Sequence, residues 1–203
     1  MMTWNLGTDD EDEIILHEGD ETHRPYMCFS DDDGLTWSEP ADLTSTCKNQ
    51  DWGWYATGPG NAIQLKSEKY KNRIIIPANH SYTTDKKEEQ VTEGGYGYGS
   101  HVLLSDDGGA NWRMSTMITP GCNESQVVEL SDGRLMMNMR SYNRMGCRAI
   151  SISEDGGETW SKIEHALQLL GRDGLRALTA RAVFRPLLRG HTDHVSNLDG
   201  PRL

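Results

Sequence analysis

One octet occurs three times in this chain, and it constrains the fold more than any other feature. It reads Ser30-Asp31-Asp32-Asp33-Gly34-Leu35-Thr36-Trp37, then Ser105-Asp106-Asp107-Gly108-Gly109-Ala110-Asn111-Trp112, then Ser153-Glu154-Asp155-Gly156-Gly157-Glu158-Thr159-Trp160. The shared pattern is S-x-D-x-G-x-(T/N)-W. A carboxylate at Asp32, Asp107 or Asp155 can accept several backbone N–H bonds and hold a tight turn. Glycine at Gly34, Gly109 and Gly157 admits a positive φ. Ser and Thr hydroxyls fasten the flanks. Trp37, Trp112 and Trp160 are expected to bury a large apolar surface against the neighbouring hairpin. Strand-like runs at 25–29, 101–104 and 148–152 precede the three copies, so each octet is predicted to be the turn of a β-hairpin. Unrelated Asp-Gly hairpins would not place a Trp at the same offset each time.

From Ser30 to Ser105 is 75 residues, and from Ser105 to Ser153 is 48. The second spacing is close to the ~40–50 residues of one propeller blade. The first implies a blade with an insertion, or an extra blade lacking the signature. Glycine (21) and Trp (6) are plentiful while helix-long apolar periodicity is scarce, so the fold class is all-β. The net charge of −11, with acidic runs at 9–13, 18–21 and 31–33, argues against nucleic acid as a partner and reads as solvated loops. No apolar run is long enough for a membrane span, and no signal peptide is visible at the start. Cys28, Cys47, Cys122 and Cys147 form no CxxC pair and are expected to be free thiols; no metal or cofactor is implied.

The composition breaks near residue 165. The stretch 170–203 holds six Arg against three Asp, and no Lys, Glu, Tyr or Trp. It is expected either to form a short basic helix around 175–188 or to be foreign to the fold, for instance through a change of reading frame. A basic arm for anionic partners is the poorer reading, because its arginines are scattered among apolar residues. The expected organisation is therefore a partial propeller over 1–165 and an atypical Arg-rich tail over 166–203.

Several segments resemble the exo-α-sialidase family, in which the octet is called the Asp box or BNR repeat. They are Trp4-Asn5-Leu6-Gly7, Thr57-Gly58-Pro59-Gly60, Arg73-Ile74-Ile75-Ile76-Pro77, and above all Asn123-Glu124-Ser125-Gln126-Val127-Val128-Glu129-Leu130 followed by Asp132-Gly133-Arg134-Leu135 and Asn138-Met139-Arg140-Ser141. The resemblance covers about 3–163 and implies a six-bladed β-propeller, with about half of the blades in this chain. It also implies removal of terminal sialic acid from glycoproteins, glycolipids or oligosaccharides, with sialylated glycans as partners. Sialic acid carries a carboxylate on its anomeric carbon, which repels a carboxylate nucleophile. The family uses a Tyr activated by a Glu, an Asp as acid and base, and three Arg that clamp the substrate carboxylate.

By motif, Glu124 matches the activating Glu and Arg140 the second clamp Arg. The first clamp Arg and the catalytic Asp are expected before the first matched segment. The Tyr nucleophile and third Arg are expected after the third octet, where no Tyr follows Tyr142. These 203 residues by themselves are therefore expected to be inactive. The alternative is a non-catalytic Asp-box propeller that binds glycans or proteins. A two-residue turn at Asp132-Gly133 would set Arg140 opposite Ser125 and turn Glu124 to the other face. A longer turn or a bulge would bring Glu124 and Arg140 together, and both registers stay open. Asn79, His80 and Tyr82 are candidates for a pocket border. The run 94–99 reads as a flexible surface loop, Trp52, Trp54 and Tyr55 as either sugar-stacking or core residues, and Glu129 as structural.

Overall fold

In the computed structural model the described residues are 2–4, 11–16, 22–90, 95–144 and 146–166. The segment 5–7 of the first family-like stretch and the tail from 167 onward, including 175–188, lie outside them. The described residues form three antiparallel sheets. The first contains β1 (Met2–Trp4), β2 (Arg24–Met27) and β3 (Ala41–Asp42). The second contains β4 (Trp52–Thr57), β5 (Ile63–Gln64), β6 (Ile74–Thr83), β7 (Tyr96–Ser105) and β8 (Arg113–Met114). The third contains β9 (Cys122–Glu129), β10 (Leu135–Ser141), β11 (Arg148–Ser153) and β12 (Glu164–Ala166). The described residues are all-β apart from short helices, among them α1 (Glu11–Leu16) and α2 (Thr44–Cys47).

Each octet joins two antiparallel strands: β2 to β3, β7 to β8, and β11 to β12. One octet thus serves one sheet, and the 75-residue spacing belongs to a single enlarged blade. The turn chemistry repeats. Asp32 Oδ1 accepts from the Thr36 N–H at 2.8 Å, Asp107 Oδ1 from Asn111 N–H at 2.9 Å, and Asp155 Oδ1 from Thr159 N–H at 2.9 Å. The other carboxylate oxygen takes the side chain of Thr36, Asn111 or Thr159. Gly34, Gly109 and Gly157 sit at φ +86°, +96° and +94°, where a side chain is strained. The side-chain bond from Thr36 holds the Asp32 carboxyl down at about 2, and that from Asn111 does the same for Asp107.

The octets also fasten one sheet to another. A Cβ on Gly157 would lie 3.1–3.4 Å from Leu104, Ile75 and Leu135, so the third turn rests on the second sheet, and Tyr70 packs on Gly156. Trp160 packs against the core of Leu65, Ile75, Val102, Leu104, Leu135 and Met137. Trp37 departs from the expected burial. It is 61% exposed, beside exposed Phe29 and Leu35, because among the described residues no sheet lies under the first turn as the second lies under the third. Arg73 ties two octets together. It is 8% exposed, grips both Asp106 oxygens at 2.6 and 3.1 Å, donates to the Gly156 carbonyl at 3.0 Å, and lies over the Tyr70 ring.

Two loop expectations are corrected. Residues 11–13 of the first acidic run open α1, which buries Ile14 and Ile15, while 9–10 and the run 18–21 lie outside the described residues. The glycine-tyrosine run lies in β7 from Tyr96 onward, not in a loop. Its glycines are there for space. Gly97 and Gly99 pair with Tyr82 and His80, and a Cβ would come within 2.8 and 2.9 Å of those side chains.

Candidate functional site

The β9–β10 hairpin decides how Glu124 and Arg140 relate. Its turn is longer than two residues: the Leu130 N–H donates to the Arg134 carbonyl at 2.8 Å, and the Gly133 N–H to the Leu130 carbonyl. Partners therefore sum to 264, as in Leu135↔Glu129 and Met139↔Ser125. The register then slips, so that Ser141 pairs with Cys122. Both devices that could bring the two residues together are present, and the two-residue register is excluded. Glu124 and Arg140 share a face, with Arg140 Nη1 3.3 Å from Glu124 Oε2 and each side chain about half exposed. A single-contact pair in water is weak, so the guanidinium can exchange partners readily.

A third charge stands in the same row. The β10–β11 pairs sum to 288, as in Met139↔Ala149, and that register extended by one residue sets Arg148 opposite Arg140. Arg148 donates from Nε to Asn138 Oδ1 at 2.6 Å and from Nη2 to the Asn138 carbonyl at 3.2 Å. Burial pulls its pKa down, opposed by the charge of Glu124. The row Glu124, Arg140, Arg148 carries one net positive charge, which suits an anionic ligand. Arg148 was missed in the sequence because its only signal is its position in the strand before the third octet.

The Arg140 guanidinium lies 5.1 Å from the centroid of the Tyr142 ring, which stacks on Tyr98. Asn123 Nδ2 donates to Tyr142 Oη at 3.1 Å, and Asn123 Oδ1 accepts from the Glu124 N–H at 2.7 Å. Burial raises the Tyr142 phenol above its ordinary value, partly offset by Arg140 and Asn123.

The Thr57-Gly58-Pro59-Gly60 segment lies beside this row. β4 and β5 pair with β6 on either side of it, and the chain between them leaves the sheet. There Pro59 bridges to Ser125, and the Ser125 N–H donates to the Gly58 carbonyl at 3.1 Å. A Cβ on Gly60 would collide with the Gln126 amide.

The proposed border residues are buried side chains. His80 is wholly buried and Asn79 almost so, while Tyr82 is nearly buried with its hydroxyl bound to Glu89. They are interior residues, because successive positions of β6 are covered on both faces. Trp52 stacks on His80 at 3.4 Å and joins Tyr55 in a core cluster, so these aromatics pack rather than present a sugar platform. Tyr55 Oη lies 3.1 Å from His101 Nε2, His101 Nδ1 3.0 Å from His80 Nδ1, and His80 Nε2 3.0 Å from Met117 Sδ. Sulfur only accepts, so the chain is satisfied with both imidazoles neutral. Burial depresses both, His101 to about 3. Glu129 accepts the Lys66 and Ser67 N–H groups at 2.8 Å each, a structural task. Among the described residues no His, Cys, Asp or Glu cluster has the makings of a metal site. No helix among them is long and apolar enough to cross a membrane.

Residues 14–182 match the BNR repeat-like domain. The chain belongs to that family. Sialidases are among its homologues. It is 34% identical over 149 residues to the sialidase of Bacteroides fragilis, covering 73% of this chain and 24% of that protein. It is 30% identical over 157 residues to the sialidase of Micromonospora viridifaciens, covering 77% and 22%. Among solved structures, the intramolecular trans-sialidase of Ruminococcus gnavus in complex with oseltamivir carboxylate superposes with a TM-score of 0.58 at 27% identity, over 71% of this chain and 27% of that one. The fold is that of the sialidase β-propellers, and the chain spans about a quarter of the length of these relatives.

Proposed function

We propose that this chain carries part of the site of an exo-α-sialidase acting on terminal sialic acid of glycoconjugates. The observation that carries this reading is the meeting of Glu124 and Arg140 on one face at 3.3 Å, flanked by Arg148. Arg140 presents a planar fork to the sugar carboxylate, which would displace Glu124 from its half-exposed contact. The freed Glu124 carboxylate is then placed to take a proton from a phenolic nucleophile, giving retention through a covalent tyrosyl intermediate. No Tyr, Asp or further Arg pair of this chain matches the remaining family motifs. The 203 residues alone are thus proposed to bind the sugar weakly and not to cleave it.

The test is incubation of the purified chain with a fluorogenic sialoside, alongside titration with N-acetylneuraminate. Saturable binding that is lost in Arg140→Gln, with no turnover, is the expected result. Turnover abolished by Glu124→Gln would overturn the incomplete set, and binding indifferent to Arg140→Gln would overturn the site.

A further inference from the structure

The slip in the β9–β10 ladder falls at the functional pair. The register passes from Met139↔Ser125 to Ser141↔Cys122, so Glu124 and Arg140 fall where the regular ladder is interrupted. Backbone groups at a bulge need other partners. Asn123, 6% exposed, supplies one by accepting the Glu124 N–H. Its other amide atom holds the Tyr142 hydroxyl, and Tyr142 has its backbone N–H on the Gly121 carbonyl and its ring stacked on Tyr98. The Arg140 guanidinium rests over that ring.

We propose that Asn123 is the positioning residue of this site, its amide fastening the backbone of Glu124 with one atom and the ring beneath Arg140 with the other. This rests on the sialic acid reading above. Only a side chain with an acceptor and a second polar atom can do both tasks, so the spacing of base and clamp depends on one side chain. Asn123 touches no substrate in this scheme; it acts through its two neighbours.

The test is side-chain NMR of Arg140 in the full 203-residue chain. With the guanidinium 5.1 Å from the Tyr142 ring centroid, its Nε–Hε and Cδ–Hδ signals should be shifted by the ring current. Asn123→Ala should move them toward free-arginine positions and weaken N-acetylneuraminate binding by about tenfold, the size of losing about one hydrogen bond. Asn123→Asp keeps an acceptor for the Glu124 N–H and can accept from the Tyr142 hydroxyl, so it should retain the shifts. Should Asn123→Ala fail to fold, Tyr142→Phe removes the anchor alone and should move the same signals. Arg140 signals unchanged in Asn123→Ala, or equally lost in Asn123→Asp, would overturn the proposal. So would unchanged signals in Tyr142→Phe. Because the ring-current reading needs no ligand, it survives even if Arg140→Gln leaves N-acetylneuraminate binding intact, an outcome that would sink the sialic acid reading instead.

Discussion

Replacing Arg73 with methionine should destabilise the protein more than any other single change among the ion pairs of the described residues. The guanidinium makes two bonds to Asp106, one to the Gly156 carbonyl and an ion contact with Glu158 at 3.0 Å, with its own side chain 9% exposed. Hydrogen bonds to charged groups contribute about 1.5–3 kcal/mol each when buried. Asp106 and Glu158 are 50% and 37% exposed and would regain water, so the sum must be discounted. The Gly156 carbonyl loses its donor in any case. The net loss should be about 2–4 kcal/mol, at or below the usual figure for breaking a buried pair. In a protein of this size that is a fall in Tm of roughly 4–16 °C. Arg113 contacts the same two carboxylates but is 42% exposed, and Arg113→Met should cost under about 1 kcal/mol. Urea unfolding of both variants measures the difference. The hydrogen bond from Arg73 holds the Asp106 carboxyl below its ordinary 3.8, against a smaller opposing effect of burial. A depressed carboxylate stabilises the fold above its unfolded pKa and loses that contribution as pH falls through the folded one. The gap between wild type and Arg73→Met should therefore narrow below pH 3.8. Equal losses for the two arginines, or a gap independent of pH, would refute the assignment.

Other outcomes follow from the same structure. Asp155→Ala should lower the urea midpoint well beyond Asp32→Ala, because the third turn rests on the core through Gly157 and Trp160 while the first is exposed. Acid should weaken the fold through His101 and His80: both folded pKa values lie below the unfolded 6.5, so their contribution is present above that pH and is lost below it, by at most about 1.4 kcal/mol per pH unit for each imidazole. His101→Phe, followed by pH-dependent thermal denaturation, should flatten that acid limb. Gly99→Ala should cost about 1–3 kcal/mol, since its Cβ would meet His80 and Thr119 at 2.9 and 3.1 Å.

What was legible in the sequence was local chemistry. The three octets close on themselves through bonds between residues two and four apart, as Ser30 to Asp32 and Thr36 to Asp32 show, so the pattern alone fixes turn and blade. Glu124 and Arg140 were legible through their motif, but their meeting was not, because it depends on a turn longer than Asp132-Gly133 and a slipped register. The ties that Arg73 makes were not legible in its family-like segment, and Arg148 was marked only by its place in the strand before the third octet. Arg73 acts on residues 33 and 83 positions away. The run from Tyr96 was misread because glycines that make room for Tyr82 and His80 look like loop glycines until their strand partners are known.

The most direct measurement is a crystal structure of the chain soaked with N-acetylneuraminate. The account predicts the sugar carboxylate on the Arg140 fork beside Arg148, with Glu124 turned from Arg140 toward the anomeric carbon and the Asn123–Tyr142 bond intact. Sugar bound away from the β9–β10 hairpin, with Glu124 and Arg140 still paired, would contradict it.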